Sequence, residues 1–484
     1  MPRLALVLAS LVVVVGCKTD NPNSCELIEN HCEGAGTPDA SPGDGAGGSD
    51  SSDGSDGSMA CRGNDDCASM TGATVCDVAA TPHVCVFCTE ASHPMCTGTT
   101  PRCEAQQACT ECTGDGDCGG TGVCLPDGSC AITDNIIHVT TLGANEDSCG
   151  SVTTPCALAA ALRLARSPKN VIKLDDDGPY VGFTVSNTEL IVDARGASIA
   201  GAVINRSLDF FVLAARTKAN LTILGGILQG KSGEMTDGIK CDDATLTIVG
   251  STIKENDLSA INATKCTLNI KKALINENSK SVSLVAGIVT NNGSSLTISQ
   301  SRLFENHGGG INVNVNGGTF TIVGNAIYNN GTGGISGSAA GGISISTAES
   351  PANRLEFNTI ANNQSSGGRS PGIDCVAGAF IARNNISRGN IISSVLPGTL
   401  GDQVSGNCKH AFSDIEQTLS TTTDGGNNLN VDPLFNADFS IMANSPVHGK
   451  ADMNAVLDDL AKRDINGTLR ASPADIGAYQ APPQ

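Results

Sequence analysis

The sequence contains no tryptophan, three tyrosines and eleven phenylalanines among 484 residues, which disfavours a globular enzyme with a large aromatic core. Basic residues are also few, since 29 lysines and arginines accompany 49 aspartates and glutamates, for a net charge of −20. This balance disfavours binding to nucleic acid or to anionic lipid headgroups, and favours solubility or cation binding. No glycine-rich loop leads from a strand into a helix, so nucleotide use is not supported.

The N-terminus has the pattern of an export signal. Met1-Pro2-Arg3 precedes the apolar run Leu4–Val15, which is too short to remain as a membrane-spanning helix. Val14-Val15-Gly16-Cys17 resembles the lipobox of bacterial lipoproteins, which implies removal of residues 1–16 and lipid attachment to Cys17. An ordinary secretory signal with an incidental Cys17 is the alternative. Lys18 in the following position favours the outer membrane or cell surface, again by resemblance.

Composition predicts a tether and a cross-linked module after the anchor. Residues 17–60 are mostly Gly, Ser, Asp, Pro, Ala and Thr and are expected to form a flexible spacer. Residues 61–130 contain twelve of the 21 cysteines, and such a density in an exported chain predicts disulfides. The pairs Cys85-x-x-Cys88 and Cys109-x-x-Cys112 have zinc-ribbon spacing, which leaves zinc as a less favoured alternative.

A repeat of about 22–28 residues dominates the rest of the chain. Each copy opens with an alternating apolar pair, continues with an apolar residue three positions before an asparagine, and ends with a small residue followed by isoleucine. The apolar pairs are Leu221/Ile223, Leu246/Ile248, Leu268/Ile270, Leu296/Ile298, Phe320/Ile322 and Leu355/Phe357. We call the small residue and the isoleucine that follows it the small-Ile step; examples are Gly310-Ile311, Gly334-Ile335 and Gly372-Ile373. Two-residue alternation within such a period predicts stacked coils of short parallel strands.

The repeat therefore predicts an all-β solenoid over residues 131–395, followed by a capping region over residues 396–484. Ala157 to Arg166 has a helical pattern and is expected to cover the first coil. Cys149 and Cys156 are predicted to bond to each other. Cys241–Cys266 and Cys375–Cys408 are predicted as further disulfides, with buried free thiols as the alternative.

The coils and their flanks resemble right-handed parallel β-helix proteins of the pectate-lyase-like type, and the chain as a whole resembles bacterial surface lipoproteins of that fold. The resemblance covers about residues 136–484. It depends on Gly143, Cys149-Gly150 and Pro155-Cys156, on Asn306-His307-Gly308-Gly309-Gly310-Ile311, and on Asp432-Pro433-Leu434-Phe435 and Asp475-Ile476-Gly477-Ala478-Tyr479 near the end. Val447-His448-Gly449-Lys450 departs from the family pattern. The resemblance implies the fold but hardly constrains the reaction.

Two rows of side chains follow from the stacking of equivalent positions. The first is a structural ladder of asparagines that tolerate left-handed backbone and bond to one another: Asn256, Asn278, Asn306, Asn330 and Asn363. The second lies one position earlier and comprises Glu255, Glu277 and Glu305. These carboxylates could bind calcium or act as acid and nucleophile of a glycosidase, or they could simply be solvated.

Other positions predict contacts to a glycan. Phe304 and Tyr328 should stack on neighbouring coils, either as a platform for a sugar ring or as a shield for the corner. Asn262, Asn291, Asn312 and Asn314 fall on outward positions of the strand after each small-Ile step, and form either a glycan-binding strip or an ordinary wet face.

The sequence does not contain a complete group of catalytic residues known from other enzyme families. Asp242-Asp243 and His307-Gly308 resemble fragments of polygalacturonase motifs, but they lie three coils apart, and the Arg-x-Lys partner is missing. His138, His307, His410 and His448 are scattered, so neither a metal site nor a Ser/His/Asp set is indicated. We therefore predict a non-catalytic surface protein that binds a polysaccharide or a surface partner. The alternatives are a polysaccharide lyase or glycoside hydrolase at the glutamate row, and a purely architectural fibre.

Overall fold

The computed structural model describes residues 67, 75–77, 84–86, 100–104, 108–119, 121–196, 203–205, 211–230, 236–280, 286–331, 341–366, 369–392, 401–452, 454 and 457–482. The predictions for residues 1–16, for Cys17 and for the tether lie outside this part of the chain. Among the described residues, no helix has the length and apolar character needed to cross a bilayer.

The cysteine-rich part contains two antiparallel hairpins. They are formed by β1 (Val75–Asp77) with β2 (Val84–Val86) and by β3 (Arg102–Glu104) with β4 (Ala108–Thr110). Disulfides join Cys112 to Cys124 and Cys118 to Cys130. The sulfur atoms of Cys112, Cys118 and Cys130 lie within 4.8 Å of one another, but all three are oxidised, so they cannot serve as thiolate ligands of zinc.

Three long parallel sheets form the walls of a β-helix, which we name sheets A, B and C. Sheet A contains β7 (Tyr180–Val181), β10 (Val203–Asn205), β13 (Ile227–Gln229), β16 (Thr252–Lys254), β19 (Leu274–Asn276), β22 (Arg302–Phe304), β25 (Ala326–Tyr328), β28 (Thr359–Ala361), β32 (Ile386–Arg388) and β36 (Asp414–Ile415). Sheet B contains β8 (Phe183–Ser186), β11 (Phe211–Arg216), β14 (Asp237–Asp242), β17 (Ile261–Thr264), β20 (Ile288–Asn291), β23 (Ile311–Val315), β26 (Ile343–Thr347), β30 (Ile373–Ala377) and β34 (Val404–Gly406). Sheet C contains β5 (Ile136–Ala144), β6 (Val171–Leu174), β9 (Glu189–Asp193), β12 (Asn220–Leu224), β15 (Thr245–Val249), β18 (Thr267–Lys271), β21 (Ser295–Ser299), β24 (Phe320–Val323), β27 (Arg354–Glu356), β31 (Ile381–Arg383), β35 (Lys409–Ala411) and β37 (Asp424–Gly426).

Each coil passes from sheet B to sheet C to sheet A, and every pairing within the three sheets is parallel, for example β14 with β17 and β15 with β18. This is the predicted right-handed parallel β-helix, and the prediction of an all-β fold is confirmed. A short parallel pair, β29 (Gln364–Ser365) with β33 (Ile391–Ile392), lies beside the main sheets. β34 to β37 continue the coils beyond residue 395.

The core is a stack of apolar side chains in register. Leu246 pairs with Leu268 and Leu268 with Leu296 across β15, β18 and β21, and all three are almost completely buried. The alternating pattern causes this, because every second residue of a strand points to the same face. The last predicted apolar pair is wrong: Leu355 pairs with Ile322, while Phe357 lies after β27 in a turn with φ of 55°.

The first coil is closed as predicted. Helix α1 (Leu158–Leu164) buries Leu158, Ala160 and Ala161 and lies within the predicted stretch. The predicted disulfides Cys149–Cys156, Cys241–Cys266 and Cys375–Cys408 are all present. Two short 3-10 helices, Asp115–Cys118 and Thr133–Asn135, precede β5.

The cysteine-rich part packs on the outer face of sheet C at its first coils. Buried Val123 contacts an apolar cluster that includes Val171 of β6 and Leu224 of β12. Beside this contact, Arg195 reaches Asp115 at 2.7 Å and Asp193 at 2.6 Å. Burial raises the pKa of Asp193 to about 6, and the neighbouring carboxyl of Asp115 acts in the same direction.

The described part of residues 427–482, which we name the C-terminal segment, folds back over the other end of the β-helix. Its apolar residues Ile441, Val447, Ile476 and Tyr479 form a second core with side chains on the outer faces of sheets A and C. Its polar contacts are long-range: the backbone N–H of Ala478 donates to Thr359 Oγ1 at 3.0 Å, and Gln300 Nε2 donates to the carbonyl of Asp464 at 2.8 Å.

Candidate functional site

The outer face of sheet B carries two rows of polar side chains in register, one position per coil. The first row is Lys240, Asn262, Val289, Asn312, Ser344, Asp374 and Ser405, and the second contains Asp242, Thr264 and Asn291, continued by the pair Asn314 and Ser346. We name these two rows the polar face. Successive coils are about 4.8 Å apart, so the four predicted asparagines repeat along the axis of the β-helix.

Several of these side chains already hold one another in place. Asn262 donates through Nδ2 to Asp237 Oδ2 at 3.0 Å, and Asn291 donates through Nδ2 to Asn262 Oδ1 at 3.3 Å. Burial raises the pKa of Asp237, and hydrogen bonds from Asn262 and the Ser259 backbone offset only part of that effect. Asn314 is exposed and Asn312 is half-buried. The hydrogen bonds therefore order the first coils of the strip, from Asp237 to Asn291.

The far end of the polar face contains an ion-paired group. Arg369 Nη1 lies 3.1 Å from Asp374 Oδ2 and donates to Ser344 Oγ at 3.2 Å. Ser405 Oγ donates to Asp374 Oδ1 at 2.8 Å. The described carboxylates of this face are Asp237 and Asp242 on β14 and Asp374 on β30, and these two strands are five coils apart, or roughly 24 Å at sheet spacing. A single scissile bond cannot contact both.

The three glutamates occupy the corner between sheets A and B, in the first left-handed position after each strand. Their φ angles are 57°, 55° and 55° for Glu255, Glu277 and Glu305. Glu255 accepts a hydrogen bond from Gln229 Nε2 at 2.8 Å and lies 3.3 Å from Lys254 Nζ. Partial burial acts to raise the pKa of Glu255, but Lys254 and Gln229 together bring it below the ordinary value.

The surroundings of the glutamate row do not match a calcium site well. Glu277 Oε2 lies 3.3 Å from Lys280 Nζ, and Glu255 is paired with Lys254. Because each of these carboxylates already has an ammonium partner, a calcium ion there would have to displace lysines. Glu305 is exposed. The catalytic and calcium roles of this row remain predictions.

Phe304 and Tyr328 stack as expected, with ring centroids 5.3 Å apart and planes at 5°. The C-terminal segment reaches the same rings, because Phe439 lies 4.7 Å from Tyr328, and Phe435 lies 5.6 Å from Phe439. These contacts are those expected of a shield. A sugar binding at this corner would have to use the Phe304 ring.

The asparagine ladder is structural, and it is longer than the repeat indicated. Side-chain Nδ2 to Oδ1 bonds of 2.8–3.0 Å connect Asn256, Asn278, Asn306, Asn330, Asn363 and Asn390. The ladder ends where Asn390 Nδ2 donates to Gln403 Oε1 at 2.7 Å. The expectation that these asparagines adopt left-handed backbone is wrong, because the preceding residues, such as Glu305 and Asn329, have the positive φ.

Two features were missed by sequence reasoning. A second ladder of Asn325, Asn358 and Asn385 lies at the corner between sheets C and A, with Nδ2 to Oδ1 distances of 3.1 and 3.0 Å. A cavity beside β27 and β31 is the other. The available signal for the second ladder was an asparagine two residues after the sheet C strand in three successive coils, but earlier coils have Ser251 and Ser301 there.

Comparisons with known proteins add no assignment of function. No protein-family model matches the chain, and no curated protein does. Among solved structures, the chain is similar to the crystal structure of pectate lyase Pel9A, with 14% identity, a TM-score of 0.48, and coverage of 72% of this chain and 96% of that chain. At this level of identity and score, the similarity carries no conclusion about activity.

Proposed function

We propose that the protein binds an extended, uncharged polysaccharide along the polar face and does not cleave it. The observation that carries the proposal is the register of that face, which places Asn262, Asn312 and Ser405 in the first row. The second row adds Asn291 and Asn314, and none of these five side chains is fully buried. A chain lying parallel to the axis of the β-helix passes one coil every 4.8 Å or so. Because hydrogen bonds already fix Asn262 and Asn291, binding to these two side chains costs little ordering entropy.

The other two faces are less suited to a long ligand. The described polar and apolar contacts of the C-terminal segment involve sheets A and C and the corner between them. The cysteine-rich part occupies the start of sheet C. The net charge of −20 disfavours a polyuronate, since its carboxylates would meet a field of the same sign.

The double variant Asn312→Ala/Asn314→Ala should lose polysaccharide binding. We expect the affinity to fall about ten- to a hundredfold, because two groups that hydrogen-bond the ligand are removed. The full-length chain in detergent is tested by affinity electrophoresis against neutral polysaccharides, with and without calcium. Asn269→Ala, on an outward position of β18 in sheet C, is the matched control and should bind normally. Equal binding by the double variant and wild type would refute the proposal.

The competing function is a lyase or hydrolase acting at the glutamate row. The observation in its favour is that Glu255, Glu277 and Glu305 take the same corner position in three successive coils. The same samples are assayed for new reducing ends and for unsaturated products that absorb ultraviolet light. Products that disappear in Glu277→Gln would establish this function, whereas we expect no products from either protein.

The proposal includes presentation of the β-helix from a membrane through lipid on Cys17. Cys17→Ser should move the protein from the membrane pellet to the soluble fraction after ultracentrifugation, because stable anchoring requires acyl chains. Cys25→Ser is the control and should stay in the pellet. If the Cys17→Ser protein also pellets, the anchor is elsewhere.

A further inference from the structure

A half-open cavity of about 1010 Å³ lies between strands β27 and β31 of sheet C and the C-terminal segment. Its lining includes Arg354 and Arg383, which come from the adjacent strands β27 and β31. Asp452, Asn454 and Asp458 of the C-terminal segment line it as well. Pockets that enclose small ligands in other proteins have volumes of about 300–1,000 Å³. The cavity is therefore large enough for several sugar rings.

The polar lining consists of arginines that are already paired with carboxylates. Arg354 lies 2.8 Å from Glu356 and 2.6 Å from Asp458, and Arg383 Nη1 lies 2.9 Å from Asp452. Each guanidinium has five N–H donors, and each carboxylate has more lone pairs than these contacts use. Donors and acceptors thus stand side by side, which suits a hydroxyl group because it donates one hydrogen bond and accepts others.

The charge balance of the lining argues against an anionic ligand. Four carboxylates, those of Glu349, Glu356, Asp452 and Asp458, accompany the two guanidinium groups. A uronate would have to displace one of the carboxylates from its arginine and would then lie near the others. Like charges at that distance repel. The two arginines alone would have indicated an anionic ligand. Because carboxylates neutralise them, an uncharged ligand is expected instead.

An apolar surface completes the lining. Phe380 packs edge-to-face on Phe320, with centroids 5.1 Å apart and planes at 75°, so its ring is fixed. Ile381 follows it and is 45% exposed, although it is large and apolar. Apolar atoms beside paired donors and acceptors match a sugar ring, which has C–H groups on its faces and hydroxyl groups around its edge.

We propose that this cavity binds a short uncharged oligosaccharide. The site is separate from the polar face, because its floor is sheet C rather than sheet B. Its recognition groups are the Arg354 and Arg383 ion pairs, with Phe380 and Ile381 as the apolar contact. The site does not depend on polysaccharide binding by sheet B.

The test is isothermal titration of the full-length chain in detergent. The probes are trimers of β-1,4-linked glucose, xylose and N-acetylglucosamine, with trigalacturonate as the charged comparison. We expect at least one neutral trimer to bind and trigalacturonate not to bind. Ile381→Arg, which puts a long side chain into the cavity, should abolish binding. Arg383→Gln should weaken binding at least tenfold or so, because it removes a charged hydrogen-bonding group.

Two controls separate the site from general effects on folding. Leu469→Arg changes another exposed apolar residue, 59% exposed and outside the cavity, and should bind normally. Arg302→Gln removes the 2.6 Å contact to Asn466 of the C-terminal segment and should also bind normally. Asn312→Ala/Asn314→Ala should still bind the trimers. Failure of the proposal for sheet B can therefore be distinguished from failure of the proposal for the cavity. Absence of binding by every neutral trimer, preference for trigalacturonate, or binding unaffected by Ile381→Arg would overturn the assignment.

Discussion

Asn330→Ala should lower the free energy of unfolding by about 4 kcal/mol, since several buried groups lose their partners at once. Asn330 Nδ2 donates to the Leu303 carbonyl at 2.9 Å and to Asn363 Oδ1 at 3.0 Å. Its Oδ1 accepts from the backbone and side chain of Asn306 at 3.1 and 2.9 Å. All of these asparagines are fully buried, so water cannot replace the lost bonds. Thermal and chemical unfolding, followed by circular dichroism, measure the effect.

Asn329→Gly is the matched control for this variant. Asn329 is the adjacent residue, is only partly buried, and has a φ of 54°, a conformation that glycine adopts without strain. Its substitution should change the free energy of unfolding by no more than about 1 kcal/mol. Similar destabilisation by the two substitutions would mean that the corner, rather than the ladder of amides, holds the coils together.

Asp414→Asn should remove a loss of stability that the wild-type protein suffers as the pH rises from about 4 to about 6. Asp414 is fully buried beneath the C-terminal segment, and burial raises its pKa to about 6, although the Val431 N–H offsets part of the effect. A raised carboxyl pKa favours the folded state below the unfolded value of 3.8. That contribution is lost as pH rises through the folded pKa. The penalty at pH 8 is on the order of 3 kcal/mol.

The measurement is the free energy of unfolding of wild type and Asp414→Asn at pH 4.5 and pH 8. The variant should gain stability relative to wild type, and the gain should be about 2 kcal/mol larger at pH 8 than at pH 4.5. Two other groups affect both proteins equally: the pKa of Asp193 is raised to about 6, and burial lowers the pKa of His410 to about 4, which opposes the loss of stability. Asp134→Asn, at an exposed position, should follow the wild-type profile. Parallel profiles for Asp414→Asn and wild type would show that Asp414 is not responsible.

The periodicity of the sequence was sufficient to predict the β-helix, because the coils stack with their equivalent residues in register. Leu246, Leu268 and Leu296 could be aligned by spacing alone, and their strands pair accordingly. The cysteine pairs followed for the same reason, since Cys241 and Cys266 are one coil apart. The asparagine ladder followed where an apolar residue preceded it by three positions.

Errors arose where a coil departs from the average length. Gly334-Ile335 fits the small-Ile step, but the strand beside β23 is β26, in which Ile343 follows Gly342. Leu355 and Phe357 were assigned wrongly for another reason: the position beside Phe320 is the polar residue Asn353, so the first apolar residue of the pair is missing in that coil. Within one irregular coil, two similar dipeptides cannot be distinguished by pattern. Only the pairing of Asn312 with Ser344 identifies the strand.

The docking of the C-terminal segment could not be predicted from the sequence. Its motif was recognisable, but its contacts join residues as far apart as Gln300 and Asp464, and no periodicity relates such positions. The cavity and its arginine pairs therefore escaped prediction. Phe304 and Tyr328 illustrate the same limit, because their stacking follows from the repeat whereas the cover of Tyr328 by Phe439 does not.

The set of coils that the C-terminal segment contacts has an evolutionary consequence. Its described polar contacts begin at Gln300 and Arg302 and continue to the last coils, so the length of the segment is matched to that number of coils. Gain or loss of a coil after β21 would misalign these contacts. The coils from β12 to β20 have no such partner among the described hydrogen bonds. Duplication of one of them would lengthen the polar face by one position and leave the neighbouring registers unchanged. Variation in coil number among related genes is therefore expected in residues 220–291, and there the capacity for longer ligands could evolve by simple tandem duplication.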